Sequence, residues 1–251
     1  MSFSNKIVLV TGASSGIGAA TAQLFAKEGA HVVMVGRNES KLRNVAEQCA
    51  RGGHAPLVVR ADVGNDDDVK RIVDETINKY RKIDVLVNNA GLSLTGSILK
   101  GDILESYDKT MAVNLRAVVH LTTLVAPHLV KTKGSIVNIS SIAGKMTSPV
   151  LSLAYCTSKA GLDHFTRGAA LELASLGVRV NSISPGPVRT DILENSGLSN
   201  ISWEFLGSRV ALKRYSEPEE IGEMILYLAS DKAKGITGSD FVCDNGGLLK
   251  A

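Results

Sequence analysis

A glycine-rich turn near the start of the chain constrains its fold more than any other segment. Residues 10–18 read VTGASSGIG, and the aliphatic run from Ile7 to Val10 predicts a fully buried strand. The alanine-rich segment after the turn predicts a helix. Gly12, Gly16 and Gly18 suit a tight turn, a close backbone approach to a diphosphate and a close contact between helix and strand. Because a helix start binds anions through its free N–H groups and its dipole, the segment predicts a dinucleotide site.

The same turn also contains the pattern G-x-S-x-G from Gly12 to Gly16, which is typical of the nucleophile of α/β hydrolases. Such a nucleophile needs earlier strands that supply an oxyanion hole, and later Asp and His partners. Only eleven residues precede Gly12, and a hydrolase turn would leave Gly18 without a purpose. We therefore reject a hydrolase.

Apolar and amphipathic segments alternate along the rest of the chain. Further strands are predicted at residues 31–36, 56–61, 83–87, 135–139, 178–183 and 240–244, and further helices at 38–51, 66–80, 103–129, 154–176 and 218–229. Repeated βα units of this kind predict a single-domain α/β Rossmann fold over residues 1–251. Its core is expected to be a doubly wound, parallel, seven-stranded sheet with helices on both faces.

The composition fits one large α/β domain. The chain has 251 residues, of which 44% are hydrophobic and only 4% aromatic, and it contains 24 glycines, as many tight βα turns require. A net charge of +3 without a basic cluster gives no reason to expect a nucleic-acid partner.

The cysteines and histidines favour neither a disulfide framework nor a metal site. Three cysteines are far apart and lack CxxC spacing, and five histidines lack the spacing of metal ligands: Cys49, Cys156, Cys243, His31, His54, His120, His128 and His164. This usage is typical of a reducing compartment. Residues 1–6 lead directly into the first strand and no apolar stretch approaches the length of a membrane span. We therefore expect a cytoplasmic protein without a membrane span.

The end of the second predicted strand indicates which nucleotide is bound. Ligands of such sheets lie beyond the carboxyl ends of the strands, where an acidic residue would bind the ribose 2′-hydroxyl of NAD. Here the strand ends in Gly36, Arg37 and Asn38, so no acid is present and Arg37 can bind a 2′-phosphate. The sequence predicts NADP(H) rather than NAD(H). The alternative is that Arg37 is a solvated surface residue.

Short polar or small residues also follow the other central strands. Asp62 and Val63 end the third strand, and Asn88, Asn89, Ala90 and Gly91 end the fourth. Asp62 could accept a hydrogen bond from the adenine amino group, while Ala90 and Gly91 would let the adenosine ribose lie close. The alternative is that Asp62 and Asn88 satisfy backbone groups of their own loops, as Asp and Asn often do.

A tyrosine and a lysine are spaced for acid–base chemistry on one predicted helix. Tyr155 and Lys159 are four positions apart and therefore share a helix face. A nearby ammonium favours the phenolate and is expected to lower the pKa of Tyr155, which would make it a usable general acid–base. The same spacing also occurs on ordinary helices without any function.

Together these motifs make the chain similar to the short-chain dehydrogenase/reductase family over nearly its whole length. The resemblance is carried by Thr11 to Gly18, Asn88 to Gly91, Asn114, Ser140 with Ser141, Tyr155 with Lys159, and Pro185 with Gly186. It implies catalytic roles for Asn114, Ser141, Tyr155 and Lys159. It also implies a homotetramer, with the two long helices and the last helix and strand at the interfaces.

The resemblance further implies the reaction and the cofactor contacts. Hydride would pass between NADPH and a carbonyl carbon while Tyr155 protonates the developing alkoxide and Ser141 polarises the carbonyl oxygen. Lys159 would lower the pKa of Tyr155 and bind the nicotinamide ribose, and Asn114 would hold a water that supplies protons. The expected nucleotide contacts are Gly12, Ser14, Ser15, Gly16, Ile17, Gly18, Arg37, Asn38, Asp62, Val63, Asn89, Ala90, Gly91, Tyr155, Lys159, Pro185, Gly186, Val188 and Thr190.

One spacing departs from the family pattern. Tyr155 follows Ser141 by 14 positions, one more than the family has, and the extra residue is expected after Pro149, within residues 150–153. A bulge there would leave Ser141 in place and reshape the pocket wall. The alternative is that Ser141 is displaced and Ser140 takes no part.

In this family the segment corresponding to residues 190–215 covers the substrate, and here it is apolar. Expected lid and wall residues are Leu92, Leu94, Met146, Val150, Leu153, Ile192, Leu193, Leu198, Ile201, Trp203, Phe205 and Leu206. They favour a lipophilic carbonyl substrate, steroid-like, isoprenoid or acyl. Alternatively these residues pack the lid onto the body or face a neighbouring subunit. A 3-oxoacyl thioester substrate stays open, as does a non-catalytic NADP(H)-binding sensor or scaffold, against which Tyr155 and Lys159 argue.

Overall fold

Strands and helices alternate through the computed structural model, which describes residues 2–147, 152–196 and 201–250. The strands are β1 Ile7–Thr11, β2 His31–Gly36, β3 Leu57–Arg60, β4 Val85–Asn88, β5 Ser135–Ile139, β6 Arg179–Pro185 and β7 Asp240–Cys243. The helices are α1 Gly16–Lys27, α2 Glu39–Gly52, α3 Asp66–Tyr80, α4 Ile103–Met111, α5 Ala117–Thr132, α6 Leu153–Ala174, α7 Ile192–Asn195, α8 Trp203–Ser208 and α9 Pro218–Ala229.

The seven strands form one parallel sheet in the order β3-β2-β1-β4-β5-β6-β7. The predicted doubly wound sheet is therefore confirmed. Strand order reverses between β1 and β4, which pair through Val8–Val85, Leu9–Leu86 and Val10–Val87. Loops diverge to opposite faces at such a reversal and leave a crevice at the carboxyl edge, where a ligand binds.

The pleat of each strand divides the core into two layers. In β1, Val8 and Val10 pack with Phe25 and Ile225 on the face covered by α1, α2 and α9. Leu9 packs on the opposite face, which is covered by α3, α5 and α6. Every residue of β1 is buried, because helices cover both faces of a parallel sheet. Burial of each Leu or Ile side chain contributes about 1.5–3 kcal/mol to the stability of the fold. This packing fixes the strands whose ends form the carboxyl edge.

The long helix predicted over residues 103–129 contains a widened turn. The α-helical pattern of α4 changes to π-helix over Ala112–Arg116 and resumes in α5, which continues to Thr132. A π turn bulges the backbone outward and is frequent at functional sites. Here it carries Asn114.

The same helix corrects one expectation about membranes. Ile103–Thr132 is long and apolar enough to cross a bilayer by length and composition alone, contrary to the prediction that no segment approaches that limit. Leu121, Val125 and Leu129 of this helix are buried in the second core layer. Length and composition do not distinguish a membrane span from a core helix whose apolar face packs against the sheet.

Candidate active site

Each glycine of the first turn has a distinct structural role. Gly12 has a φ of +65°, and a Cβ there would lie 2.8 Å from Asn89 Nδ2. Gly16 has a φ of +52°, and its Cβ would lie 2.7 Å from Thr190 Cγ2. A Cβ on Gly18 would overlap the carbonyl oxygen of Gly12, so Gly18 is the residue that brings the helix close to the strand.

Thr11 and Asn89 join this turn to the end of β4. The Thr11 hydroxyl accepts hydrogen bonds from the backbone N–H groups of Asn89 and Ala90, both at 3.0 Å. Asn89 Nδ2 donates to the carbonyl oxygens of Thr11 at 2.9 Å and Gly12 at 3.2 Å. Thr11 belongs to the sequence motif, but this role was not predicted, because its only sequence signal is a hydroxyl directly before the first glycine.

A single cavity of about 1040 Å³ runs from the glycine turn along the carboxyl edge of the sheet to the lid. All but two of the expected nucleotide contacts line it. The exceptions are Gly18, which packs beneath the turn, and Asn38. The Asn38 side chain instead caps α2, since Oδ1 accepts from the Lys41 backbone N–H at 3.0 Å and from the Ser40 hydroxyl at 2.8 Å.

Arg37 and Asp62 face each other in the part of the cavity near the glycine turn. Arg37 Nη1 lies 3.8 Å from Asp62 Oδ2, and both side chains are exposed. Asp62 Oδ1 accepts from the Gly64 backbone N–H at 2.9 Å, so the alternative that Asp62 satisfies its own loop holds for one oxygen. The long, exposed contact leaves the Arg37 guanidinium available to a phosphate.

Tyr155, Ser141 and Lys159 meet at the middle of the cavity. Tyr155 and Lys159 are both buried, and Lys159 Nζ lies 5.6 Å from the centroid of the Tyr155 ring. Lys159 Nζ donates to the carbonyl oxygen of Ile139 at 2.7 Å, which fixes the ammonium at the end of β5. The side chains of Ser141 and Tyr155 are hydrogen-bonded.

The longer spacing therefore does not separate Ser141 from Tyr155. Ser140 points elsewhere, since its hydroxyl donates to the carbonyl oxygen of Lys159 at 3.3 Å. The bulge expected within residues 150–153 falls partly outside the described part of the chain, since residues 150 and 151 are not described.

Burial controls the protonation of this cluster. It raises the pKa of Tyr155, and the hydrogen bond from Ser141 opposes that rise only in part. It also lowers the pKa of Lys159 to about 8, against the opposing charge of Asp163. The predicted lowering of the Tyr155 pKa is thus wrong, because removal of the phenol from water has the largest effect on its pKa and raises it. The phenol is protonated at neutral pH.

Asn114 lies behind the cavity rather than in its wall. Its Nδ2 donates to the carbonyl oxygen of Leu92 at 2.9 Å and to the Ser158 hydroxyl at 3.0 Å, while Oδ1 accepts from the Leu92 backbone N–H at 2.9 Å. A Cβ on Gly91 would lie 3.5 Å from Asn114 Oδ1 and 3.7 Å from Lys159 Nζ. Asn114 therefore holds the loop after β4 beside Lys159.

The lid supplies an apolar wall at the other end of the cavity. Of the expected lid and wall residues, those that line it are Leu92, Met146, Ile192, Leu193, Trp203 and Leu206. Leu153 and Phe205 are half exposed and do not line it, which fits the alternative that they pack elsewhere or face a subunit. Leu94 and Ile201 do not line it either, and Val150 and Leu198 lie outside the described residues.

Two cations that sequence reasoning missed line this end of the cavity. Arg209 directly follows the lid helix α8, and Lys250 lies in the C-terminal segment. A Cβ on Gly247 would lie 3.3 Å from Ile142 Cδ1 and from Val210 Cγ1, so the C-terminal segment lies between the Ser141 turn and the lid. No local sequence signal places residues 209 and 250 at the same cavity.

Comparison with known proteins gives consistent matches over the whole chain. A family model described as enoyl-(acyl carrier protein) reductase matches residues 12–247. The 3-oxoacyl-[acyl-carrier-protein] reductase FabG of Thermotoga maritima is 37% identical over 249 residues, which are 98% of this chain and 99% of that protein. The meso-2,3-butanediol dehydrogenase of Serratia marcescens is 36% identical over 246 residues, 98% of this chain and 96% of that protein.

A solved structure is similar as well. A short-chain dehydrogenase/reductase of unknown function from Caenorhabditis elegans, crystallised with cofactor, superposes with a TM-score of 0.93 at 38% identity. The match covers 99% of this chain and 97% of that one.

Proposed function

The chain belongs to the short-chain dehydrogenase/reductase family of oxidoreductases, which act on carbonyl and alcohol groups, and on that premise we propose that it reduces an apolar ketone with NADPH. In reverse it oxidises the corresponding secondary alcohol. The observation that carries the proposal is the cluster of the buried Tyr155 and Lys159 with Ser141, which lines the same cavity as the glycine turn.

The residues of the turn fit a dinucleotide. Gly12 and Gly16 line the cavity, and each lets the turn pack closely where a Cβ would clash, Gly12 against Asn89 and Gly16 against Thr190. Ser15 precedes the first turn of α1 without capping it through its side chain, so the N–H groups of that turn remain for a diphosphate. When bound, NADPH supplies the hydride.

The side chains of the cluster then act on the carbonyl oxygen. The raised pKa of Tyr155 keeps its phenol protonated, so that it donates a proton as negative charge develops on that oxygen. Ser141 provides a second hydroxyl at the same point and stabilises that charge. Lys159 holds a positive charge behind the phenol, and Asn114 fixes the loop that packs against it.

Arg37 favours NADPH because a 2′-phosphate needs a cationic donor and Gly36 brings no competing acid. We expect Arg37→Asp to lower kcat/KM for NADPH by about 10- to 100-fold, because one or two charge-assisted hydrogen bonds to the 2′-phosphate are lost. The kcat/KM for NADH should change little. Steady-state kinetics with both nucleotides measures this. Arg60→Asp is the matched control, because Arg60 is equally exposed, at 70%, but does not line the cavity. An unchanged ratio of the two nucleotides in Arg37→Asp would refute the role.

A second candidate substrate is a 3-oxoacyl thioester of a phosphate-bearing carrier. Among the described residues, six charged ones line the cavity. Two of these are acids: Asp62 contacts Arg37, and Asp191 Oδ2 lies 2.6 Å from Lys41 Nζ. Arg209 and Lys250 have no carboxylate partner among the residues that the structure describes. The substrate end therefore carries a net positive charge that suits an anionic tail. The name of the Thermotoga relative supports the same substrate class.

A matched substrate pair separates the two candidates. Acetoacetyl-coenzyme A and ethyl acetoacetate share the reacting acyl group, but only the first carries phosphates. If the thioester is the substrate, we expect Arg209→Gln combined with Lys250→Gln to raise KM for acetoacetyl-coenzyme A by about 10-fold or more. The KM for ethyl acetoacetate should stay unchanged. Lys234→Gln, an exposed lysine outside the cavity, is the control. Equal effects on both substrates would exclude an anion site and leave the uncharged ketone.

We further propose a homotetramer and a cytoplasmic location. Exposed apolar side chains on α4, α5 and α6 (Tyr107, Val119 and Leu171) and on α9 and β7 (Tyr227 and Val242) support subunit contacts. All three cysteines are free, which fits a reducing compartment.

A further inference from the structure

A cluster of three charged side chains lies behind the catalytic helix and outside the cavity. Lys145 Nζ lies 2.7 Å from Asp163 Oδ2 on α6 and 2.9 Å from Asp240 Oδ2 on β7, and donates to the Ser184 hydroxyl at 2.8 Å. Asp240 Oδ1 accepts from Ser182 at 2.7 Å and from Ser184 at 2.8 Å. Asp163 is buried, and none of the three charged residues lines the cavity.

The cluster ties the turn that carries Ser141 to the helix that carries Tyr155. Lys145 directly follows the short 3₁₀ helix Ile142–Gly144, which Ser141 caps by accepting from the Ala143 backbone N–H at 3.1 Å. A Cβ on Gly144 would lie 2.9 Å from the backbone nitrogen of Ala160, so this turn packs directly on α6. Lys145 is the side chain that reaches from it to α6, β6 and β7.

The cluster also holds one negative charge in excess, one helical turn from Lys159 along α6. Two carboxylates face one ammonium, and Asp163 Oδ1 has no hydrogen-bond partner within the described residues. Asp163 follows Lys159 by one helical turn, so its carboxylate lies on the same face. The groups around Lys159 are Tyr155 and Asp163 on α6 and the neutral Asn114, which approaches Gly91 together with Lys159 Nζ. Lys145 and Asp240 face Asp163 from the other side.

We propose that Asp163 is the counterion of Lys159, and that Lys145 and Asp240 set how much of its charge Lys159 experiences. This rests on the proposed function, in which Lys159 acts on Tyr155. All three are positioning residues, because they act through Lys159 and Ser141 rather than on the substrate.

The proposal predicts opposite effects from two substitutions. Asp163→Asn removes the negative charge, so the pKa of Lys159 falls further below its value of about 8. Lys145→Met removes the positive charge that neutralises Asp163, so the pKa of Lys159 rises. A neighbouring charge shifts a buried group by about 1 pH unit or more. Asp240→Asn should act in the same direction as Asp163→Asn but less strongly, and Lys145→Arg should restore the parent value.

A direct titration of Lys159 by NMR tests this without requiring turnover. The Lys159 Cε resonance, assigned with Lys159→Arg, is followed against pH in the parent and the four variants, and the pH profile of kcat for ethyl acetoacetate is measured in parallel. Shifts of opposite sign in Asp163→Asn and Lys145→Met support the proposal. Shifts of one sign, or a lower Tm with no shift, would overturn it in favour of a structural role. If Lys159 titrates as expected while the parent reduces no ketone, the proposed function is wrong, but the proposal that Asp163 is the counterion of Lys159 is supported.

Discussion

Replacing Tyr155 by phenylalanine is expected to lower kcat for ketone reduction by about 10²–10⁴-fold, the usual contribution of a general acid. The phenol is buried and hydrogen-bonded to Ser141, and its raised pKa holds the proton in place at neutral pH. Phenylalanine keeps the ring against Ala143, Cys156 and Ile192 and removes only the hydroxyl. The Kd for NADPH should therefore remain close to that of the parent, and only the chemical step should fail.

The measurement is NADPH consumption at 340 nm with a panel of ketones, together with NADPH binding by fluorescence. Tyr107→Phe is the matched control, because Tyr107 lies on α4 away from the cavity. Turnover by Tyr155→Phe at the parent's rate would remove the mechanism. Tight NADPH binding by a parent enzyme that reduces no ketone would instead support the sensor hypothesis.

The second large effect is expected at Gly18. A Cβ at this position would overlap the carbonyl oxygen of Gly12 and approach Asn89 Nδ2, and backbone cannot yield as a flexible side chain does. We expect Gly18→Ala to cost about 1–3 kcal/mol of unfolding free energy through overpacking, and to weaken NADPH binding by at least about 10-fold as the turn shifts.

Denaturant unfolding and NADPH titration measure the two effects. Gly168→Ala is the matched control, since Gly168 lies within α6 and a Cβ there meets nothing within 4 Å. That substitution should stabilise the protein by about 0.5–1 kcal/mol. If Gly18→Ala were as stable as the parent and bound NADPH equally well, the proposed contact between helix and strand would be wrong.

Local periodicity predicted the fold well because its signals are short in range. The buried strand before the glycine turn and the shared face of Tyr155 and Lys159 depend only on residues a few positions apart. Strand bounds differ from prediction by up to two residues at either end, as in β4, which covers Val85–Asn88 rather than residues 83–87. The widened turn at Asn114 was not predicted, because a π turn has no distinct hydrophobic period.

The candidate site was harder to predict in its details. Asn38 was expected at the nucleotide, yet its side chain caps α2, a role for which Asn is among the favoured residues. The direction of the Tyr155 shift was also wrong, because spacing shows the nearby ammonium but not the removal of the phenol from water. The sequence does not predict that Arg209 and Lys250 line the cavity, because this position depends on how the lid folds over the sheet.

Sequence patterns alone predict the parallel α/β architecture, the glycine-rich turn and the shared helix face of Tyr155 and Lys159, since each depends on backbone rules that act over a few residues. The contact of Ser141 with Tyr155 requires the packed fold, as does the cluster that Lys145 forms with Asp163 and Asp240. Such contacts join residues on separate elements. Their geometry and their degree of burial, and hence the charges they carry, exist only once those elements are packed.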